Sequence, residues 1–222
     1  LGFQVEREYS PLVHFLPIDF GYLIALGVIL GCFAELYCRY VLTMQQQGKA
    51  WFGNRLVLKM SLSGFILGSI YAYLPAEFHQ ITTLKKVIAE GSIDISMALT
   101  IFVVLFITTG LAAASGAPGG LFYPMLILGG SLGLACGTWV EAITGHVPST
   151  YIFAGMGAFV AGCSRTPITA MFLAFALTKD LLILKPLLIS CITSYLIARL
   201  FNEHSIYERQ IDMELRIDAT EN

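Results

Sequence analysis

Ser115-Gly-Ala-Pro-Gly-Gly-Leu-Phe-Tyr-Pro124 interrupts the most apolar part of this sequence. From Ile95 to Val140 there is no Asp, Glu, Lys or Arg. One spanning helix needs ~20 apolar residues, so the uncharged run holds about two passes. The break falls between them, at a depth where irregular backbone survives only against protein or a water-filled cavity. Gly119 and Gly120 lack a Cβ and permit a sharp turn with close approach of backbone to a ligand. Pro124 suits the first turn of a helix and disfavours helical geometry at Tyr123, so a new helix is expected to start close to Pro124. The N–H groups of Leu121, Phe122 and Tyr123 are then expected to lack intrahelical partners, at the positive end of a helix dipole. Such a constellation binds anions without a cationic side chain. A plain Gly/Pro hinge explains the same residues, and the residues alone leave both readings open.

Outward from the break, residues 96–114 and 124–143 read as helices. Residues 144–149 read as a polar turn, 151–163 as a short apolar segment ending at Arg165-Thr-Pro167, and 168–178 and 181–198 as two more. Upstream, apolar character runs from Phe20 to about Tyr37, followed by an expected linker from Arg39 to Lys59. That linker carries Arg39, Lys49, Arg55 and Lys59 without an acid, which places it on the cytoplasmic side. A second pass is expected from about Met60 to Leu74, and a short helix near 81–90. The tail from Arg199 reads as charged and partly helical. Several segments are too short to cross the hydrocarbon alone, a mixture typical of channels and secondary transporters. Gly129, Gly133 and Gly137 recur every four residues and share a helix face, as do Gly64 and Gly68; both sets read as packing positions.

Composition agrees. Hydrophobic residues make up 56% of the 222 residues and charged ones 13%, whereas a soluble domain carries about a quarter charged residues. The chain is therefore expected to be an integral membrane protein in contact with lipid. A net charge of −2 argues against a nucleic-acid partner. Cys32, Cys38, Cys136, Cys163 and Cys191 form no CxxC pair and read as buried free thiols. The four histidines lack metal-ligand spacing, so no metal and no cofactor is expected. The chain begins at Leu1 with no signal-peptide pattern, and is expected to start partway through a longer protein.

Gly120-Leu-Phe-Tyr-Pro124 resembles the G-x-F-x-P anion-binding motif of the CLC family of chloride channels and proton/chloride exchangers. Ala154-Gly-Met-Gly-Ala158 and Arg165-Thr-Pro-Ile-Thr169 resemble two further family stretches, and Ser205-Ile-Tyr207 resembles the start of the family's last helix. The similarity runs from about Asp19 to about Leu215. It implies an all-α, polytopic membrane fold of long, short and broken helices, corresponding to the second of the family's inverted repeats. It divides the chain into a lead-in at 1–18, a transmembrane half at 19–215 and a short cytoplasmic tail at 216–222. It implies transport of chloride or another small anion and no enzyme activity. The anion would be bound at Gly120 and by the backbone N–H groups of Leu121 and Phe122, with the Tyr207 hydroxyl completing the site. A bound chloride ion and a homodimer follow from the same resemblance. Two features depart from the pattern: Ala176 stands where the family usually has an acid, and Tyr73–Gln80 matches a glycine-rich stretch poorly. No G-x-G-x-P or G-x-E-x-P motif occurs, so the first half of the family's membrane domain, with its gating glutamate, is the expected missing partner. The tail ends without the nucleotide-binding modules of many eukaryotic relatives; unless the C-terminus was cut, a bacterial inner membrane is the expected location.

Three other assignments compete. One is an inverted-repeat transporter whose break binds a small carboxylate. Another is an intramembrane hydrolase with Ser115 as nucleophile and His146 or His204 as base. The last is a membrane scaffold, which leaves the break unexplained. Arg165 could attract anions toward a vestibule, but reads primarily as a structural residue that caps helix ends or anchors at the interface.

Overall fold

The computed structural model describes residues 17–52, 56–73, 95–116, 120–144, 149–178 and 181–221. The expected short helix near 81–90, the turn at 145–148 and Gly119 lie outside these residues. Among the described residues the chain is helical without strands: α1 Pro17–Phe52, α2 Leu56–Tyr73, α3 Ile95–Ala114, α4 Phe122–Thr144, α5 Ser149–Ser164, α6 Pro167–Thr178, α7 Leu184–Phe201 and α8 Ile206–Glu221, with a short 3-10 turn at Leu181–Ile183. Four helical stretches are long and apolar enough to cross a membrane: Phe20–Trp51, Ile95–Ala114, Phe122–Ile143 and Leu184–Arg216. At about 1.5 Å per residue, α5 and α6 reach only roughly 24 and 18 Å, short of a ~30 Å hydrocarbon layer.

The expected linker from Arg39 is instead the second half of α1, which continues unbroken to Phe52. Met, Gln, Lys and Arg are as good helix formers as Leu. The turn at Arg39 is further held by its Nε, which donates to Glu35 Oε1 at 2.9 Å, four residues back. Loss of apolar character therefore marked a change of surroundings, not the end of the helix.

Small residues set the packing. A Cβ on Gly129 would come within 2.4 Å of the Gly155 carbonyl, and one on Gly133 within 2.4 Å of the Tyr151 carbonyl. These pairings make α4 and α5 antiparallel, with backbones in direct contact. Gly64 and Gly68 behave otherwise: a Cβ on either meets nothing within 4 Å. The packing expected of them has no counterpart in this chain. Gly27 and Gly31 of α1 seat against Ser190–Thr193 and Ser194–Ile197 of α7. Ser190 and Ser194 of α7 donate to the carbonyls of Ala154 and Ala158 of α5. Phe33, Tyr37 and Tyr40 of α1 meet Phe102 and Phe106 of α3, and Gly48 seats on the Ala114 carbonyl. Helices α1, α3, α5 and α7 thus run in one direction and α4 in the other. Buried side chains from α1, α3, α4, α5, α6 and α7 form one continuous core.

Helices α5 and α7 do not accompany α1 to its end. The C-terminal carbonyl of Ala198 on α7 is tied through Arg165, at the end of α5, to Glu35. Glu35 lies near the middle of α1, and Gly48 lies 13 residues, roughly 20 Å, further on.

Candidate functional site

Helix α3 ends at Ala114, and Gly116 follows at φ 71. This is the left-handed glycine that commonly closes a helix; its N–H donates to the Ala113 carbonyl at 3.2 Å. Lys59 Nζ sits 3.1 Å from where a Gly116 Cβ would be. It thereby places a cation by the negative end of the α3 dipole. Ser115 Oγ donates to the Ala112 carbonyl at 2.6 Å.

The chain re-enters helix at Phe122, two residues before the expected start. The Met125 N–H donates to the Leu121 carbonyl at 3.1 Å, which makes Leu121 the N-cap and puts Pro124 at the third helical position. Pro is harmless there because that N–H has no partner within a helix in any case. The N–H groups of Leu121 and Phe122 likewise have no acceptor within α4, while both side chains pack on the core. Gly120 is exposed, and a Cβ on it would meet nothing within 4 Å. Its φ is not left-handed; among the described residues Gly116 is the glycine that is. The sharp turn expected of Gly119 and Gly120 falls in part on Gly119, outside the described residues; the left-handed glycine that the structure describes is Gly116.

Tyr207 is the second residue of α8. The sequence Ser205-Ile-Tyr-Glu208 forms a capping box: Glu208 N–H donates to Ser205 Oγ at 3.2 Å and Ser205 N–H to Glu208 Oε2 at 2.7 Å. This reciprocal pair fixes where α8 starts, and hence where Tyr207 stands. The Tyr207 residue is 41% exposed and lies close to the buried thiols Cys163 and Cys38. Helices α1 and α5 each touch both α4 and α8. Of the other thiols, Cys191 is buried and Cys136 half-buried, whereas Cys32 is exposed against expectation.

A charged network that the sequence did not announce surrounds the start of α8. Glu35, with its side chain 4% exposed, accepts from Arg165 Nη2 at 2.7 Å and Arg209 Nη1 at 3.1 Å, besides Arg39. Arg165 also donates to the carbonyls of Ala198 at 3.1 Å and Asn202 at 3.2 Å. It adopts φ 61, costly for a residue with a Cβ, and these bonds hold it there. The helix-capping role expected of Arg165 is what the structure contains. The capping box was readable as S-x-x-E; Glu35 and Arg209 are 174 residues apart and carry no local signal.

A sequence profile of the family described as voltage gated chloride channel matches residues 2–199. The chain belongs to this family. The family assignment accords with its relatives. The chain is 30% identical over 199 residues to the H(+)/Cl(-) exchange transporter ClcA of Vibrio parahaemolyticus, covering 87% of this chain and 43% of the relative. It is 33% identical over 190 residues to ClcA of Cronobacter sakazakii, covering 82% and 40%. The chain thus spans less than half the length of these relatives. Among solved structures, a slow cyanobacterial Cl-/H+ antiporter shares the fold with a TM-score of 0.80 at 24% identity, over 91% of this chain and 48% of that one. A eukaryotic CLC transporter matches at a TM-score of 0.71 and 23% identity, over 90% and 36%. The voltage gated chloride channel fold therefore accounts for the alternation of long, short and broken helices, and the chain is an integral membrane protein.

Proposed function

We propose that this chain forms the second half of a transmembrane pathway for chloride or another small anion. The anion would be held by the N–H groups of Leu121 and Phe122, beside Gly120, with the Tyr207 hydroxyl as a further donor. The observation that carries the reading is the start of α4. A helix that begins within the apolar body of the protein offers backbone donors at its positive end next to open space at Gly120. Those donors are neutral, so binding is weak enough for the ion to leave again. A phenol adds a donor without adding charge. The names of the relatives, H(+)/Cl(-) exchange transporters, support chloride as the ion. Because the chain spans under half of those relatives, the complete pathway needs the other half of the protein. A homodimer in a bacterial inner membrane completes the proposal.

Calorimetric titration of the full-length protein with chloride tests it. Tyr207→Phe keeps the ring and removes one hydrogen bond, worth roughly 0.5–1.5 kcal/mol, so affinity should fall by about two- to tenfold. A full-length protein that neither binds chloride nor passes it across liposomes overturns the reading.

A further inference from the structure

The proposed anion site gives Tyr207 a task but does not explain what holds it in place. Its helix packs on α1 and α5 through few side chains: Ile206 and Met213 are buried, and most of the described side chains of α8 are exposed. The turn before it, Asn202–Ser205, is not helical. The capping box sets the start of α8 along the chain but does not orient the helix against its neighbours. The face of α8 that Ile206 and Met213 bury also carries Arg209, whose contact is ionic. Arg209 reaches Glu35 on α1 at 3.1 and 3.4 Å, with its side chain 18% exposed. Two residues are about 200° apart around a helix, so fixing Arg209 also fixes the azimuth of Tyr207. Glu35 is itself held by Arg165, which is 7% exposed and bonded to the carbonyls of Ala198, in the last turn of α7, and Asn202, the first residue of the joint leading to α8.

We infer that Glu35 is a positioning residue for Tyr207: through Arg209 and Arg165 it sets the orientation in which the Tyr207 hydroxyl meets the anion. This rests on the reading of Tyr207 as an anion donor. It is separable from a simple field effect by sign. Glu35 is one negative charge among three positive ones. Removing that charge leaves the region more positive, which by Coulomb's law raises affinity for an anion. Releasing Tyr207 lowers it.

The test is chloride titration of the full-length protein carrying Glu35→Gln, alone and combined with Tyr207→Phe. The expected result is a loss of affinity about as large as that of Tyr207→Phe, and no further loss in the double variant, because both changes remove one interaction. Glu35→Asp, which restores the charge, should recover part of the loss. Unchanged or raised affinity for Glu35→Gln overturns the inference, as do losses that simply multiply in the double variant. Should Glu35→Gln not fold, Arg209→Gln keeps the Arg165–Glu35 pair and releases only α8. The same non-additivity with Tyr207→Phe is expected, and independent effects refute the inference. If Tyr207→Phe alone leaves affinity unchanged, the reading of Tyr207 fails first, whatever Glu35 does.

Discussion

At Phe122 a single atom carries the argument. Phe122 is the first helical residue of α4, the one helical position where Pro is favoured, because its fixed φ suits the helix and its missing N–H had no partner there. Phe122→Pro should therefore fold while deleting a donor, and chloride flux into liposomes should drop at least tenfold at matched incorporation. Phe122→Leu, which keeps the N–H, should retain most of the flux and so serves as the control for loss of the ring. A normal rate in Phe122→Pro would return the break to a plain hinge. Gly120 provides a complementary test. Its φ is not left-handed, and a Cβ on it meets nothing among the described residues. Gly120→Ala should leave expression and the size-exclusion profile unchanged while lowering chloride affinity, because the methyl group then takes space meant for the ion. An unaltered affinity would remove Gly120 from the site.

Among the elements, the pair α4 and α5 is the most tightly built. Gly155 faces Gly129 and Gly133, and a Cβ on it would approach the Gly129 carbonyl to 2.4 Å. Backbone cannot yield as a flexible side chain does. Gly155→Leu should cost more than the ~1–3 kcal/mol usual for overpacking and abolish a monodisperse size-exclusion peak. Gly64→Leu, on open α2, should leave that peak intact. Helix α4 and its break were legible in the sequence because an uncharged run with Gly and Pro at its centre admits few other structures. The end of α1 was not, because polarity reports what surrounds a helix and not whether the helix continues. The start of α8 was legible in part: the Ser-x-x-Glu pattern is local, whereas its tie to Glu35 is a product of the fold.

For the whole molecule, the chain spans less than half the length of the curated relatives it matches. Its exposed apolar side chains include Ile168 and Phe172 on α6 and Leu188, Ile192, Leu196 and Leu200 on α7. Lipid or protein must cover such a surface. The full-length protein is expected to run as a homodimer in mild detergent, measured by light scattering with the detergent contribution subtracted. A monodisperse monomer that still passes chloride would count against the dimer. Membrane character and family were legible at this scale because they rest on composition and on several motifs in order. How the break and Tyr207 are supported was not, because α1, α5, α7 and α8 contribute from distant parts of the chain.

The early stop of α5 and α7 has an electrical consequence. Beyond their ends, α1 continues for roughly 20 Å, and α8 sets out from the same level carrying Glu208, Arg209, Asp212, Glu214 and Arg216. A charged residue in hydrocarbon costs about 2.5–3.5 kcal/mol, so this helix requires water beside it. Water conducts, and a membrane potential falls across the insulating layer that remains. Such water would compress the field into the part of the bilayer spanned by α5 and α7. Moving one charge through the whole potential is worth about 2.3 kcal/mol per 100 mV. In the proposed pathway, an anion arriving at Tyr207 from the wet side would traverse little of that drop, and voltage would act chiefly on the steps that lie on the far side of the tyrosine.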